Sequence, residues 1–194
     1  MKVVIIKYNA GNIRSVLFAL ERIGVEATVT DDPEMIRTAD RVIFPGVGEA
    51  SSAMTYLRAK GLDRLIPSLT QPVLGICLGM QLLCASSEEN DTECLGVFPV
   101  TVQKFSENQG LKVPQIGWNT LSELKSDLFS EVPESTYVYF VHGYFVPQSE
   151  YTIATATYTH TYSAAIRKNN FMAVQFHPEK SGDAGEQILR NFLS

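Results

Sequence analysis

A cysteine and a histidine that stand far apart in the sequence are the side chains best suited to covalent chemistry. Cys77 lies in the segment Gly-Ile-Cys-Leu-Gly, between a short apolar run and a helical pattern. A strand that turns sharply into a helix is the geometry of a nucleophile elbow, in which the central side chain is thrown clear of the sheet. A thiol at that point forms some thiolate near neutral pH and is a strong nucleophile. The flanking pattern alone fits a buried structural cysteine equally well.

The segment from Val174 to Lys180 supplies a base and a group that can orient it. Pro178 biases His177 away from the helical conformation, so the chain should be extended there. In an extended chain, alternate residues point to the same side, so Glu179 can hold the imidazole of His177. A nucleophile, a base and an orienting acid form the general pattern of a catalytic triad. The alternatives are a structural role for His177 and a different base; His142 is that second choice, although its apolar strand favours a structural role.

The composition describes an ordinary globular protein and excludes several functions. The 194 residues, 45% hydrophobic and 19% charged, fit one domain over residues 1–194. A net charge of −5 without a basic block argues against a protein that binds nucleic acid through phosphates. No apolar run could span a bilayer and none resembles a signal peptide, so we expect a cytoplasmic protein without membrane association. Three cysteines without a C-x-x-C motif indicate reduced thiols, and no metal or cofactor is expected.

Apolar runs alternate with helical stripes in the first half of the chain, which predicts an α/β fold with a mostly parallel central sheet flanked by helices. The predicted parallel strands cover residues 3–6, 25–30, 41–44 and 73–76, and the predicted helices cover residues 13–23, 50–59 and 62–69. After Gly96 the pattern is β-rich, which predicts antiparallel hairpins added to the sheet. These segments cover residues 97–105, 113–121, 137–146, 151–159 and 162–168. A last strand at 171–176 delivers the histidine, and a helix at 184–193 follows.

The carboxyl ends of parallel strands form the sites of open α/β sheets, so the turn at 45–48 should meet Cys77 and His177 at one edge. An acyl-transfer nucleophile needs amide donors for the oxyanion. The candidate donors are the backbone amides of Val47, Gly48 and Leu78, although the turn alone fits a plain connection. Gln81 lies one helical turn after the nucleophile, where it could bind a polar group of the substrate. The alternatives are a helix cap partner and an exposed polar residue. Three further side chains have no expected catalytic role: Cys84, expected in the core on the helix, Cys94, in a polar loop, and His160, expected to be exposed.

Two of these motifs resemble those of the triad (class I) glutamine amidotransferases. Residues 75–81 resemble that family's nucleophile motif, and residues 175–179 resemble its histidine–glutamate motif. Further segments resemble the glutaminase subunits of imidazole glycerol phosphate synthase: residues 11–16, 45–48, 117–119, 141–144 and 178–181. The resemblance covers essentially the whole chain and implies a flavodoxin-like fold.

The resemblance implies a defined reaction. Cys77 attacks the side-chain carbonyl of glutamine, which gives a γ-glutamyl thioester and releases ammonia, and water then hydrolyses the thioester to glutamate. His177 is the base and then the acid, and Glu179 orients it. Four positions match family residues that contact or lie along glutamine: Gln81, Glu89, Gly143 and Tyr144. Read from its neighbours alone, Glu89 would be part of a solvated helix end.

The resemblance also implies a partner, a (βα)8-barrel cyclase subunit that uses the ammonia in histidine biosynthesis. Asn12, Trp118 and Lys180 match positions at that interface. The sequence has no P-loop and no second domain that would use ammonia, so we expect the chain to be weakly active alone and activated by its partner. The turn at 45–48 is the expected switch, since one reoriented amide could complete the oxyanion hole.

Two departures from the family and three other functions stay open. The family often has a second glycine before Gly11, where this chain has Asn9 and Ala10, and it commonly has serine or threonine at Gly143. The alternatives are the glutaminase subunit of another synthase, such as the anthranilate synthase type, a stand-alone γ-glutamyl cysteine hydrolase, and a catalytically silent binding module.

Overall fold

A seven-stranded sheet forms the centre of the protein in a computed structural model that describes residues 1–9, 11–106 and 110–194. The strands of the described residues are β1 (Val3–Ile6), β2 (Ala27–Thr30), β3 (Arg41–Phe44), β4 (Val73–Ile76), β5 (Cys84–Ser87), β6 (Thr92–Glu93), β7 (Phe98–Lys104), β8 (Gln115–Thr120), β9 (Tyr137–His142), β10 (Tyr144–Phe145), β11 (Thr152–Thr157), β12 (Thr161–Lys168) and β13 (Phe171–Val174). The α-helices are α1 (Ile13–Arg22), α2 (Pro33–Arg37), α3 (Ala50–Ala59), α4 (Leu62–Leu65), α5 (Leu78–Leu83) and α6 (Gly182–Leu193). Ala10, one of the two departures from the family pattern, lies outside the described residues.

The central sheet is parallel over most of its width. Its strands lie in the order β11-β12-β13-β4-β3-β1-β2. Strands β2, β1, β3, β4 and β13 run parallel to one another, and β12 and β11 add an antiparallel hairpin at the β13 side of the sheet. The mostly parallel sheet with an added hairpin is therefore confirmed.

The remaining β-rich segments do not join this sheet, contrary to the prediction. Strands β10, β7, β5 and β6 form a separate four-stranded sheet, and β8 and β9 form a two-stranded ribbon. The burial pattern gives the reason. Every residue of β1 and β4 is buried, whereas exposed and buried residues alternate along much of β9. A strand with one apolar face packs as an outer layer and cannot replace a strand that is covered on both faces.

The helices cover both faces of the central sheet and bury two cores. Val3 and Ile5 point into one core with residues of α1 and α6, whereas Val4 and Ile6 point into the other with residues of α3 and α4. This division follows from the two-residue period of a strand. Among the described residues, no helix is long and apolar enough to cross a membrane.

Three neighbouring strands end at the same edge of the sheet. Strand β4 lies between β3 and β13, and all three run parallel. The turn at 45–48 follows β3, Cys77 follows β4, and Gln175 and His177 follow β13. The predicted convergence at the carboxyl edge is thus present.

Candidate active site

Cys77 occupies a strained turn between β4 and α5. Its backbone lies at φ 53° and ψ −108°, a region that non-glycine residues rarely adopt. Such a conformation costs roughly 1–3 kcal/mol and persists only when the surroundings hold it. The Cys77 amide donates to the carbonyl of Val174 at 2.8 Å, and the side chain is buried except where it meets a cavity. This is the geometry that was predicted for a nucleophile elbow.

The glycines on either side of the elbow are required by close backbone contacts. A Cβ atom on Gly79 would lie 1.8 Å from the carbonyl oxygen of Phe44. A Cβ atom on Gly75 would lie 3.1 Å from the carbonyl of Gly79. Because the neighbours are backbone atoms, the contacts could be relieved only by moving the strand or the helix.

His177 and Glu179 form a buried pair beside the cysteine. The Nδ1 atom of His177 lies 2.7 Å from Oε1 of Glu179, so Nδ1 carries the donated proton and Nε2 is left for the thiol. That Nε2 atom is buried and, among the described residues, has no hydrogen-bond partner. Burial by itself lowers the pKa of His177, but its electrostatic interactions with the nearby Cys77 and Glu179 outweigh burial and raise its pKa well above the usual range. The two neighbours therefore stabilise an imidazolium at this position.

Asn12 contacts this pair, which its place in the sequence did not predict. Its amide Nδ2 donates to Oε1 of Glu179 and lies 3.4 Å from Nδ1 of His177. Asparagine before a helix often binds the first helical amides, but the side chain of Asn12 makes no such bond to α1. Its left-handed backbone, at φ 73°, is not the extended conformation of a helix cap. The side chain of Asn12 instead donates to the carboxylate of Glu179.

The predicted oxyanion hole is not assembled in this conformation. Val47 and Gly48 line the cavity, and among the described residues their backbone amides have no hydrogen-bond acceptor. The third donor, the amide of Leu78, is occupied, because it donates to the carbonyl of Gly46 at 3.2 Å. One peptide unit, between Gly46 and Val47, contains both the blocking carbonyl and a free donor.

The side chain of Tyr8 anchors the turn at 45–48. Its hydroxyl donates to the carbonyl of Pro45 at 2.7 Å, and a Cβ atom on Gly46 would lie 1.9 Å from the same hydroxyl. Burial, with a smaller contribution from the nearby Cys77, raises the pKa of Tyr8 well above its ordinary value, so the phenol stays protonated and donates. No short-range pattern in the sequence links Tyr8 to the turn.

A cavity of about 480 Å³ opens above the cysteine. All four residues predicted to bind substrate lie in its wall: Gln81, Glu89, Gly143 and Tyr144. Lys104 of β7 also lines it and was not predicted, because no sequence pattern reveals that β7 pairs with β10.

Two of the predicted substrate residues have surroundings that suit this role. Glu89 is half-buried, its Oε2 accepts from the amide of Ala50 at 2.8 Å, and burial raises the pKa of its carboxyl group. The reading of Glu89 as part of a solvated helix end is therefore wrong. At Gly143, an added Cβ atom would have no neighbour closer than 3.7 Å, so the serine or threonine that the family commonly has would fit.

The other two histidines make packing contacts and hydrogen bonds away from Cys77. Burial lowers the pKa of His142 to about 4, so its imidazole is neutral. Its Nδ1 donates to the carbonyl of Tyr144 at 2.7 Å, and its Nε2 lies 3.2 Å from the hydroxyl of Tyr162, which agrees with the predicted structural role. His160 was expected to be exposed, but it is half-buried because its ring packs 4.3 Å from the ring of Phe145.

The other cysteines lie away from the elbow. Cys84 is in the core, as predicted, but it begins β5 and is not part of the helix, because α5 ends at Leu83. Cys94 follows β6 and is half-buried. Within residues 1–9, 11–106 and 110–194, no group of three or more His, Cys, Asp or Glu side chains could hold a metal ion.

Comparison with known proteins decides the family. The chain matches the class-I glutamine amidotransferase family over residues 4–194. Over 100% of its length it is 58% identical to the imidazole glycerol phosphate synthase subunit HisH of Bacteroides fragilis (strain YCH46), of which it covers 99%. It is 56% identical, with the same coverage, to the subunit HisH of Bacteroides thetaiotaomicron. The chain belongs to the class-I glutamine amidotransferases, in the HisH family. The predicted function, the glutaminase subunit of imidazole glycerol phosphate synthase, is confirmed at this level.

The fold of this HisH-family chain has a counterpart among solved structures. One described as a glutamine amidotransferase superposes with a TM-score of 0.76, covering 98% of this chain and 96% of that one. The identity is 21%, so the likeness bears on the fold alone. It agrees with the predicted α/β class.

Two of the three residues that the HisH resemblance placed at a partner interface lie on one surface. Trp118 is 56% exposed, and its ring lies 5.8 Å from the ring of Tyr139 on the paired strand. Nζ of Lys180 lies 5.9 Å from the centre of the same Tyr139 ring. The carbonyl of Tyr139 accepts from the amide of His177 at 2.8 Å. This surface is therefore connected to His177 by one backbone hydrogen bond. Asn12, the third residue, lies apart from this surface and contacts Glu179 and His177.

Proposed function

We propose that the Cys77–His177–Glu179 constellation of this HisH-family chain hydrolyses glutamine and supplies ammonia to a second subunit. The observation that carries the proposal is the buried His177–Glu179 pair, whose free Nε2 serves the cysteine of a strained elbow beneath a cavity of about 480 Å³. The similarity to HisH subunits over the whole chain supports the assignment to imidazole glycerol phosphate synthase. The whole chain, residues 1–194, acts as one glutaminase domain.

The first half-reaction forms a thioester. His177 Nε2 takes the proton of the Cys77 thiol, and the thiolate attacks the side-chain carbonyl carbon of glutamine. The carbon–sulfur bond forms while an electron pair moves to the carbonyl oxygen. When the tetrahedral intermediate collapses, the carbon–nitrogen bond breaks and the imidazolium gives its proton to the leaving ammonia. Glu179 stabilises the imidazolium throughout.

The second half-reaction releases glutamate. The neutral His177 takes a proton from water, and the resulting hydroxide attacks the thioester carbonyl. The carbon–sulfur bond then breaks, and the Cys77 thiolate recovers its proton from the imidazolium. Each turnover thus consumes one water and one glutamine and yields one glutamate and one ammonia, with no cofactor.

The oxyanion of both steps requires the turn at 45–48 to change conformation. Rotation of the Gly46–Val47 peptide would remove the carbonyl that occupies the Leu78 amide and would turn the Val47 amide toward the cavity. Loss of one oxyanion donor costs roughly 3–4 kcal/mol in known enzymes. We therefore expect the chain to be slow in the observed conformation and to be activated when a partner stabilises the rotated one.

The cavity wall can bind the amino-acid end of glutamine. Glu89 presents a carboxylate to the α-ammonium, and Gln81 has only its oxygen left for a ligand because both of its N–H groups are bonded internally. Lys104 places a positive charge on the same wall, where it favours the α-carboxylate. Gly143 and Tyr144 lie along the substrate chain.

The partner is proposed to be a (βα)8-barrel cyclase subunit that forms a heterodimer with this chain in the cytoplasm. Its docking surface includes the exposed Trp118 and Lys180, with Asn12 at the edge of the triad. The ring of Tyr139 contacts Trp118 and Lys180, and its carbonyl accepts from the amide of His177. A partner that docks on this surface can therefore shift the catalytic base.

The site assignment is tested by labelling with an electrophilic glutamine analogue, such as a diazo ketone. We expect the reagent to modify Cys77, located by peptide mass spectrometry, and excess glutamine to protect it. Cys94→Ser is the matched control and should be labelled at the same rate, whereas Cys77→Ser should not be labelled. Modification at another cysteine, or no protection by glutamine, would contradict the assignment and would favour a catalytically silent module or a different substrate.

A further inference from the structure

The thiol of Cys77 has a polar neighbour that the triad does not use. Gln175 is fully buried, and its Nε2 lies 3.7 Å from Sγ of Cys77. Gln175 directly follows β13, whose last residue, Val174, pairs with Ile76 of β4. The sheet register therefore places Gln175 beside the elbow. A buried amide is costly unless its groups are hydrogen-bonded, so its partners are informative.

The orientation of the Gln175 amide is fixed by a second glutamine. Oε1 of Gln175 accepts from Nε2 of Gln81 at 3.0 Å, which directs the Gln175 N–H groups toward the sulfur. The same Nε2 of Gln81 also donates to the carbonyl of Tyr144 at 3.1 Å. That carbonyl is held from its other side by Nδ1 of His142. Because both neighbours of the Gln81 nitrogen are acceptors, neither amide can be reversed without losing these bonds.

The imidazolium of His177 favours a negative charge on the sulfur, and the two polar neighbours outside the triad have opposite effects on it. Sγ of Cys77 lies 3.6 Å from the carbonyl oxygen of Val141, which can accept from the neutral thiol but faces a thiolate with its own partial negative charge. An N–H donor on the other side has the opposite effect. Hydrogen bonds to an ionised acceptor are about twice as strong as those between neutral groups, so Gln175 interacts more favourably with the thiolate than with the thiol.

We propose that Gln175 is a positioning residue that stabilises the Cys77 thiolate and holds its sulfur toward the cavity, and that Gln81 acts through Gln175 as well as lining the cavity. The proposal deepens the glutaminase function, on which it rests for the reaction that the thiolate performs. It also accounts for a buried glutamine next to the nucleophile, a position where an apolar residue would pack without needing partners.

The test measures thiolate reactivity without glutamine. The rate of alkylation of Cys77 by iodoacetamide is followed from about pH 6 to about pH 10 in the full chain and in Gln175→Met, which keeps the length of the side chain but removes the donor. Near neutral pH we expect the variant to react roughly tenfold more slowly. The difference should vanish at high pH, where the thiol is ionised in both proteins.

Two further variants complete the experiment. Gln71→Met removes a glutamine amide that donates to the carbonyl of Ile36 and lies at the opposite end of β4 from Cys77, so this variant should alkylate at the normal rate. Gln81→Met keeps Gln175 but removes the hydrogen bond that orients its amide, and it should slow alkylation roughly threefold. This variant also keeps the proposal testable if Gln175→Met does not fold, which thermal unfolding would reveal.

Three results would overturn the proposal: normal alkylation in folded Gln175→Met at every pH, a deficit that persists unchanged at high pH, or, where only Gln81→Met folds, normal alkylation of that variant. Because alkylation requires no glutamine, failure of this proposal is distinguishable from failure of the glutaminase function. A chain that shows the expected alkylation profile but releases no glutamate would keep the role of Gln175 and contradict the glutaminase function alone.

Discussion

At the residue scale, Asn12 has one observed contact and one proposed contact, and a substitution can separate their effects. Its amide donates to the carboxylate of Glu179, and it is also a proposed partner contact. In Asn12→Ala, we expect Glu179 to lose this bond and orient His177 less well, so kcat of glutamine hydrolysis in the presence of the partner falls roughly tenfold while KM changes little.

The control for this prediction comes from the same loop. Asn9 donates its amide to the carbonyl of Ser52 and does not contact the triad, so Asn9→Ala should keep its activity. Binding of the partner is titrated separately for each variant. Weakened binding with an unchanged kcat at saturating partner would show that Asn12 acts only at the interface.

At the scale of elements, the elbow depends on the close crossing of β3 and α5. In Gly79→Ala, the new methyl group would overlap the carbonyl of Phe44, so the strand or the helix must move. We expect a loss of about 3 kcal/mol in the free energy of unfolding, measured by urea denaturation, and loss of activity. Gly143→Ala is the matched control, since its methyl group has ordinary contacts, and it should stay within about 0.5 kcal/mol of the parent. Equal stability of the two variants would contradict this explanation of the elbow.

The elements that could be predicted from the sequence are those with a strong local signal. The strands at Val3–Ile6 and Val73–Ile76 are continuous apolar runs, and the elbow has a glycine at each required position. Parallel strands end at the same edge of a sheet, so the strands before Cys77 and His177 could be predicted to bring these two residues together.

The elements that could not be predicted depend on contacts between distant segments. Cys84 leaves the helix because β5 pairs with β7, and Lys104 reaches the cavity because β7 pairs with β10. Tyr8 contacts the turn at 45–48 only because folding brings these distant segments together. Asn12 fits a helix cap by residue type, but its backbone conformation is decided by its neighbours in space.

At the scale of the whole molecule, buried histidines make stability depend on pH. Burial lowers the pKa of His142 from 6.5 to about 4, so between these values the unfolded chain binds a proton that the folded chain does not. The free energy of unfolding is therefore not reduced by His142 above pH 6.5, and it falls as the pH drops from 6.5 toward 4. His177 has the opposite sign, because its raised pKa favours the folded state at low pH and that contribution is lost as the pH rises.

His142→Gln should remove the first dependence and leave the second. Between pH 7 and pH 5, we expect the parent chain to lose about 2 kcal/mol more unfolding free energy than the variant, measured by urea denaturation at both pH values. The comparison cancels the contributions of the other titrating groups, provided that the variant folds. Parallel losses in the two proteins would show that His142 does not stay neutral in the fold.

The proposed activation also involves the whole molecule. In the chain alone, the Leu78 amide is bonded to the carbonyl of Gly46, and a partner is needed to free it. The most direct test is glutamate release from glutamine by the purified chain, with and without a barrel cyclase subunit and its ribonucleotide ligand. We predict slow release alone, a rise of roughly a hundredfold or more with the liganded partner, and none in Cys77→Ser. A full rate without any partner, or activity that survives in Cys77→Ser, would contradict the proposed mechanism.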